Sequence, residues 1–322
     1  MYDSSPSISI IVPVFNVEQY LKDALDSLVH QKIPANEIIV IDDGSTDGSA
    51  DILRKYSKVK PLKIFRTSNN GLGSARNFGR VFAKSEYIYF FDSDDLLDKH
   101  FTARMHQIIN EYDKPDLIIF EANTFYDGEI DSNFSPTYKR TISGVFESDG
   151  RLITELQNHK EAYPNCFLYL SKNEMWAKNR LAFPPSQHED EAVLFPLLAL
   201  SRKTVVISEA YPQRRVRPGS VMTSRPDSLN VSGVLRSINQ TKEFMALRPA
   251  LVKPEIGAWR SRLETLCIRY LALCRETGVS ISWAVIIICL IETKSVKHLV
   301  RIVFVCLPEP IRYLVKIAVN RD

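Results

Sequence analysis

Four short strand-like runs, at residues 8–14, 37–41, 62–66 and 87–91, alternate with stretches of helical periodicity through the N-terminal third of this chain. The first, Ile8-Ser9-Ile10-Ile11-Val12-Pro13-Val14, is β-branched and carries no charge, as in strands covered on both faces. Tyr20, Leu21, Ala24, Leu25, Leu28 and Val29 then recur at helical spacing among charged residues, which predicts an amphipathic helix over 17–31 with Asn16 as its cap. Helices are expected again within 43–55, 73–83 and 190–201, and two further short strands near 204–208 and 211–217. The alternation predicts an α/β fold, a mainly parallel central sheet flanked by helices.

In open sheets of this kind ligands bind beyond the carboxyl ends of the strands. Those ends read Pro13 to Asn16, Asp42-Asp43-Gly44-Ser45, Thr67 to Gly71, and Asp92-Ser93-Asp94-Asp95, all of them polar, glycine-bearing or acidic. Alternate residues of an extended chain point the same way, so Asp92 and Asp94 can converge on one hard cation. The plain alternative is a solvated acidic turn that caps the next helix. A carboxylate in Asp42-Asp43 can accept a nucleobase imide or a ribose hydroxyl, although the same residues also suit an ordinary strand-to-helix turn. Glycines in Asn70-Gly71-Leu72-Gly73 free backbone N–H groups for a phosphate, and Arg76 can clamp an oxyanion or a base. A bare Gly-x-Gly is weak evidence of this.

Taken jointly, Val12-Pro13-Val14-Phe15-Asn16, Val40-Ile41-Asp42-Asp43-Gly44-Ser45-Thr46-Asp47, Asn70-Gly71 with Ala75-Arg76-Asn77 and Gly79, and Phe91-Asp92-Ser93-Asp94-Asp95 resemble the nucleotide-binding half of the family 2 glycosyltransferases. The resemblance spans residues 8–121 and implies the GT-A fold. It implies that Pro13 and Asp43 touch the nucleobase, Asn70 and Arg76 belong to the donor site, Asp92 meets the ribose or the metal, and Asp94 the metal. A divalent cation, Mn2+ or Mg2+, and a nucleotide-sugar donor, UDP-linked by family habit, follow from it. In Gln187-His188-Glu189-Asp190-Glu191 it points to Asp190 as the base of an inverting transfer, with Glu189 or Glu191 as alternatives for that role. It also suggests acceptor contacts from Glu189 and Trp176. Read without the family, the acids are a helix N-terminus and the tryptophan a core residue. His188 is read as a bystander.

The expected organisation is a catalytic domain over 1–225, divided into a nucleotide-binding half (8–121) and an acceptor-side half (122–225), followed by a helical C-terminal region, 226–322. Charge separates them. Residues 1–200 carry 21 basic and 29 acidic side chains, and residues 201–322 carry 20 basic and 9 acidic. The uncharged stretch from Trp283 to Ile291 is too short to span a bilayer. With the basic amphipathic segments at 299–307 and 311–319, it suits peripheral contact with a membrane surface, where a glycan or lipid-linked glycan acceptor would be met. Packing onto the protein itself is an equal alternative for these helices. No nucleic-acid partner is expected. Five cysteines without metal-ligand spacing and an N-terminus without a leader pattern suggest the cytoplasm, with possible attachment to the inner face of the cell membrane.

Bacterial surface polysaccharide synthesis is the pathway implied by the resemblance. A transferase-like domain that binds or scaffolds without turnover is the rival reading. A nicotinamide-dependent dehydrogenase is disfavoured, because no Gly-x-Gly-x-x-Gly follows the first strand.

Overall fold

The computed structural model describes residues 5–128, 136–147, 151–218 and 224–292. The chain divides into two compact units, Met1–Ser224 and Arg225–Asp322. In the first, β1 (Ile8–Val14), β2 (Glu37–Asp42), β3 (Leu62–Arg66) and β4 (Tyr87–Phe90) run parallel in the order β3-β2-β1-β4. Helices α1 (Glu18–Val29), α2 (Ser49–Tyr56) and α3 (Leu72–Phe82) connect them. β5 (Leu96–Leu97), α4 (Phe101–Glu111), β6 (Leu117–Tyr126), β7 (Gly144–Glu147) and α5 (Arg151–Asn158) follow, and then β8 (Tyr169–Lys172), α6 (Asn173–Asn179), α7 (Leu194–Leu200) and β9 (Lys203–Val216).

Every residue of β1, β2 and β4 is buried, which is why these runs lack the alternation of half-exposed strands. Ile8, Ile10, Val12 and Val14 pack on one face with Leu21, Leu25 and Leu28 of α1 and with Phe101, Met105 and Ile108 of α4. On the other face, Ile39 and Ile41 meet Ala75 of α3. There is no room for a side chain at Gly79, where a Cβ would lie 2.6 Å from the Cγ2 of Ile11.

The position of Pro13 follows from the register. β4 pairs only with Ile8 to Ile11, while β2 pairs with β1 as far as Val14. Pro13, which has no N–H to donate, therefore sits where β1 has outrun β4, and that overhang opens the crevice.

Beyond β4 the sheet departs from the expected pattern. β8 lies antiparallel between β4 and β6, β9 is parallel to β6, and β5 and β7 pair antiparallel with β9. The two short strands expected near 204–208 and 211–217 are a single long strand, whose pairing with β6 shifts register around Glu121 and Ala210. The helix expected over 190–201 is a 3-10 turn, Glu189–Ala192, followed by α7. Asn16 does not cap α1. It adopts a left-handed backbone, and its side-chain oxygen accepts the N–H of Thr46 at 2.8 Å.

The second unit is helical as far as it is described: α8 (Ser228–Leu247), α9 (Pro249–Val252), α10 (Ile256–Thr277) and α11 (Trp283–Glu292). Asp227 and Asn230 form a reciprocal capping box at the start of α8. Val234, Ile238, Leu263, Cys267, Leu271 and Val285 are buried among α8, α10 and α11. The segments at 299–307 and 311–319 lie outside the described residues.

Candidate active site

The carboxyl ends of β1, β2 and β4 surround a cavity of about 280 Å³. Pro13, Val14 and Phe15 from the overhang of β1, Asp43 after β2, Asn69 and Gly71 before α3, and Asp92, Ser93 and Asp94 after β4 line it, and Arg214 and Arg217 come from the end of β9. A second, open depression near Arg80, Glu86 and Lys172 lies at the opposite ends of these strands, away from the acidic residues.

Asp43 organises the wall between β3 and α3. Its buried carboxylate accepts the Thr67 hydroxyl at 2.9 Å and the backbone N–H groups of Asn70 at 3.1 Å and Gly71 at 2.9 Å. Gly44 is needed beside it. Its φ is +78°, and a Cβ there would lie 2.9 Å from the backbone nitrogen of Asn69. Asn70 differs from the donor contact expected of it: its N–H is given to Asp43 and its side-chain amide to the Ser68 carbonyl at 2.8 Å. Asn69 and Gly71 face the cavity instead.

The turn after β4 is fastened from β9. The carboxylate of Asp95, fully buried, accepts the N–H of Arg215 at 2.7 Å, and the Arg215 Nε donates to the Asp94 carbonyl at 2.8 Å. Arg217 Nε donates to Asp94 Oδ2 at 3.0 Å. Arg214 stacks over Tyr138 and Phe167, with its charge close to Asp92, Asp94 and Asp95. Burial, and after it the neighbouring Asp92, pushes the Asp94 carboxyl above the ordinary carboxylate range, against the pull of Arg217.

Two carboxylates on one turn, of which Asp94 is raised by burial and by its neighbour, fit a hard dication held by one or two protein oxygens and by substrate phosphates. No set of three His, Cys, Asp or Glu side chains that could hold a metal ion occurs among the described residues.

Arg76 does not line the cavity. It is buried, with one guanidinium nitrogen 2.7 Å from Asp92 Oδ1 and another paired with Glu189, and it lies over the ring of Phe183. It is a bridge between the acid that follows β4 and the first acid of the 3-10 turn. Glu189 is therefore turned inward and only 6% exposed, which corrects the acceptor contact expected of it. Trp176 is corrected more fully. It is completely buried, packed edge-on to Phe90 and against Phe183, with its indole N–H given to the Ser171 hydroxyl at 2.9 Å, so it has no face to offer a sugar.

Asp190 is the less buried member of its acidic trio, and Asn165 Nδ2 lies 3.4 Å from its Oδ2. Burial, then Glu189 and Glu191, push its carboxyl up to about 7, where it can exchange a proton near neutrality. His188 adopts a left-handed backbone at the start of this turn. The fastening roles of Asp95, Arg215 and Asn165 were not among the sequence expectations. Of the three only Arg215 had a local signal, the run of arginines at Arg214, Arg215 and Arg217.

A family model described as glycosyl transferase family 2 matches residues 9–173. EpsH of Bacillus subtilis, named a glycosyltransferase, is 28% identical over 283 residues, which make up 84% of this chain and 76% of that protein. The poly(ribitol-phosphate) beta-N-acetylglucosaminyltransferase TarS of Staphylococcus aureus is 30% identical over 67% of this chain, and the match spans 37% of TarS. The crystal structure of S. aureus TarS 1-349 in complex with UDP-GlcNAc shares the fold, with a TM-score of 0.60 at 20% identity over 83% of each chain. With the family model covering just over half of its length and the GT-A fold in place around the cavity, this chain belongs to family 2 of the glycosyltransferases.

Proposed function

We propose that this glycosyltransferase is an inverting, divalent-cation-dependent enzyme that moves a sugar from a UDP-sugar to a glycan or lipid-linked glycan acceptor in the synthesis of a bacterial surface polymer. The observation that carries the reading is the single cavity in which Asp92 and Asp94 face Arg214 and Arg217 beside Asp43 and Pro13. Asp43 and Pro13 offer a polar edge and a flat apolar one to a nucleobase. Arg214 and Arg217 are placed for the diphosphate, for which a guanidinium fork is well shaped. Asp92 and Asp94 would hold the cation, which when bound neutralises charge on the departing nucleoside diphosphate.

Asp190 takes the proton of the acceptor hydroxyl as its oxygen bonds to the anomeric carbon and the bond from that carbon to the diphosphate oxygen breaks. Inversion is supported by the names of two relatives, the beta-N-acetylglucosaminyltransferase TarS and a poly(ribitol-phosphate) beta-glucosyltransferase of Bacillus spizizenii, because a β product from an α-linked UDP-sugar requires it. The polymer pathway rests on the same names and on the minor teichoic acid biosynthesis protein GgaB of B. subtilis. The test is turnover of a panel of nucleotide sugars with Mn2+ or Mg2+ by the wild type and by Asp94→Asn and Asp190→Asn. Near wild-type turnover by both variants would overturn the assignment. Binding of UDP without any turnover would favour the scaffolding alternative.

A membrane-facing role for the C-terminal region is favoured by α11. Trp283, Ile287 and Ile291 recur at helical spacing and are 77%, 54% and 70% exposed. No helix among the described residues is long and apolar enough to cross a membrane. Flotation with anionic and with neutral vesicles tests this, and equal flotation of the full chain and of a Trp283→Ser, Ile287→Ser double variant would remove it.

A further inference from the structure

The motif Gly73-Ser74-Ala75-Arg76-Asn77 opens α3 beside the donor cavity, yet three of its side-chain positions look elsewhere. Gly73, Arg76 and Asn77 are spaced three and four apart, so they share one face of the helix. That face is covered by the segment from Phe183 to Glu189. Asn77 binds it as one backbone strand binds another: its Nδ2 donates to the Phe183 carbonyl at 2.8 Å and its Oδ1 accepts the Phe183 N–H at 2.9 Å. Gly73 lets the segment lie against the helix axis. A Cβ there would overlap the Pro184 carbonyl oxygen and press on the Cβ atoms of Phe183 and Glu189 at 3.1 and 3.2 Å. Arg76 adds an ion pair to Glu189 and stacks over Phe183. These contacts end one residue before Asp190, and they join residues 106 and 113 positions apart in the chain.

We infer that this turn of α3 is a clamp that sets the position of Asp190, so that Gly73 and Asn77 act as positioning residues of the transfer and not as donor contacts. Neither lines the cavity. Their shapes are accounted for by the segment they hold: a glycine where the backbone approaches, and an amide, which alone among side chains of that length donates and accepts in one plane. The catalytic part of the inference rests on Asp190 being the base, whereas the clamp itself is a statement about which contacts hold residues 183–189.

The test uses the full chain with Asn77→Ala and Asn77→Asp, the latter keeping the shape and the acceptor while facing the Phe183 carbonyl with a second acceptor. Amide hydrogen exchange over residues 183–192 should speed up at least tenfold in both, with exchange over β1 and β2 unchanged. Affinity for UDP with Mn2+ should stay within twofold, while kcat for sugar transfer falls tenfold or more at an unchanged donor KM. Exchange at 183–192 as slow as in the wild type would overturn the clamp, and so would a tenfold loss of UDP affinity, which would make Asn77 a donor contact. Faster exchange together with full turnover by Asp190→Asn would leave the clamp standing and remove Asp190 as the base.

Discussion

Replacing Asp190 by Asn should abolish transfer and at the same time stabilise the protein above neutral pH. The carboxyl is raised from 3.8 to about 7 in the folded protein, so its affinity for a proton grows roughly a thousandfold on folding. At ~1.36 kcal/mol per factor of ten, the ceiling on the destabilisation by the ionised group is ~4 kcal/mol. Asp190 is partly exposed, and water on its open side screens its charge, so a gain of about 2 kcal/mol is expected for Asp190→Asn. For a domain of this size that is roughly 4–8 °C in Tm.

The sign follows from which state binds the proton more tightly. Between pH 4 and 7 the folded protein holds more protons than the unfolded chain, so wild-type stability falls as pH rises through this window. The advantage of the neutral amide is therefore full above pH 7, about half as large at pH 5.5, and gone near pH 4. Scanning calorimetry of both proteins at pH 8, 6.5 and 5.5 measures it directly, with donor turnover assayed on the same samples. A variant that melts at or below the wild type at pH 8, or a difference that does not change with pH, would refute the account of Asp190 as a carboxylate held ionised against its surroundings.

Trp176→Ala should cost about 3–5 kcal/mol of stability by opening a cavity against Phe90 and Phe183, seen as a lower Tm, with the acceptor KM of the folded fraction unchanged. Gly44→Ala should cost about 1–3 kcal/mol through its left-handed backbone, and by displacing Asn69 it should weaken UDP binding in calorimetry. In thermal melts, UDP with Mn2+ should raise the Tm of the wild type and leave that of Asp94→Asn where it was, since a ligand stabilises only the state that binds it.

The parallel half of the sheet was legible because three of its four strands are buried on both faces and its helices on one, two patterns that survive in a linear reading. Residues 136–216 were less legible, for two reasons. β8 is only four residues long, and it is a strand because β4 and β6 flank it, which no local window contains. The break that made β9 read as two strands is a change of register against β6, not an end of pairing. Among the site residues, Pro13, Asp43, Asp92 and Asp94 could be placed because strand ends converge by geometry, and the cavity holds all four. Arg76 could not, because its partners Asp92 and Glu189 are brought to it from either side by tertiary structure. Nothing near Trp176 in sequence distinguishes a tryptophan that stacks on sugars from one that fills a core.

On the proposed assignment, the Arg76 guanidinium shared between Asp92 and Glu189 would make the two halves of the active site thermodynamically dependent on each other. A ligand that draws Asp92 away from Arg76 alters the hold of that guanidinium on Glu189, and hence the ground on which Asp190 stands. Linkage is reciprocal, so whatever factor donor binding imposes on acceptor affinity, the acceptor returns to the donor. Whichever substrate binds first, the coupling between them would run through a single side chain.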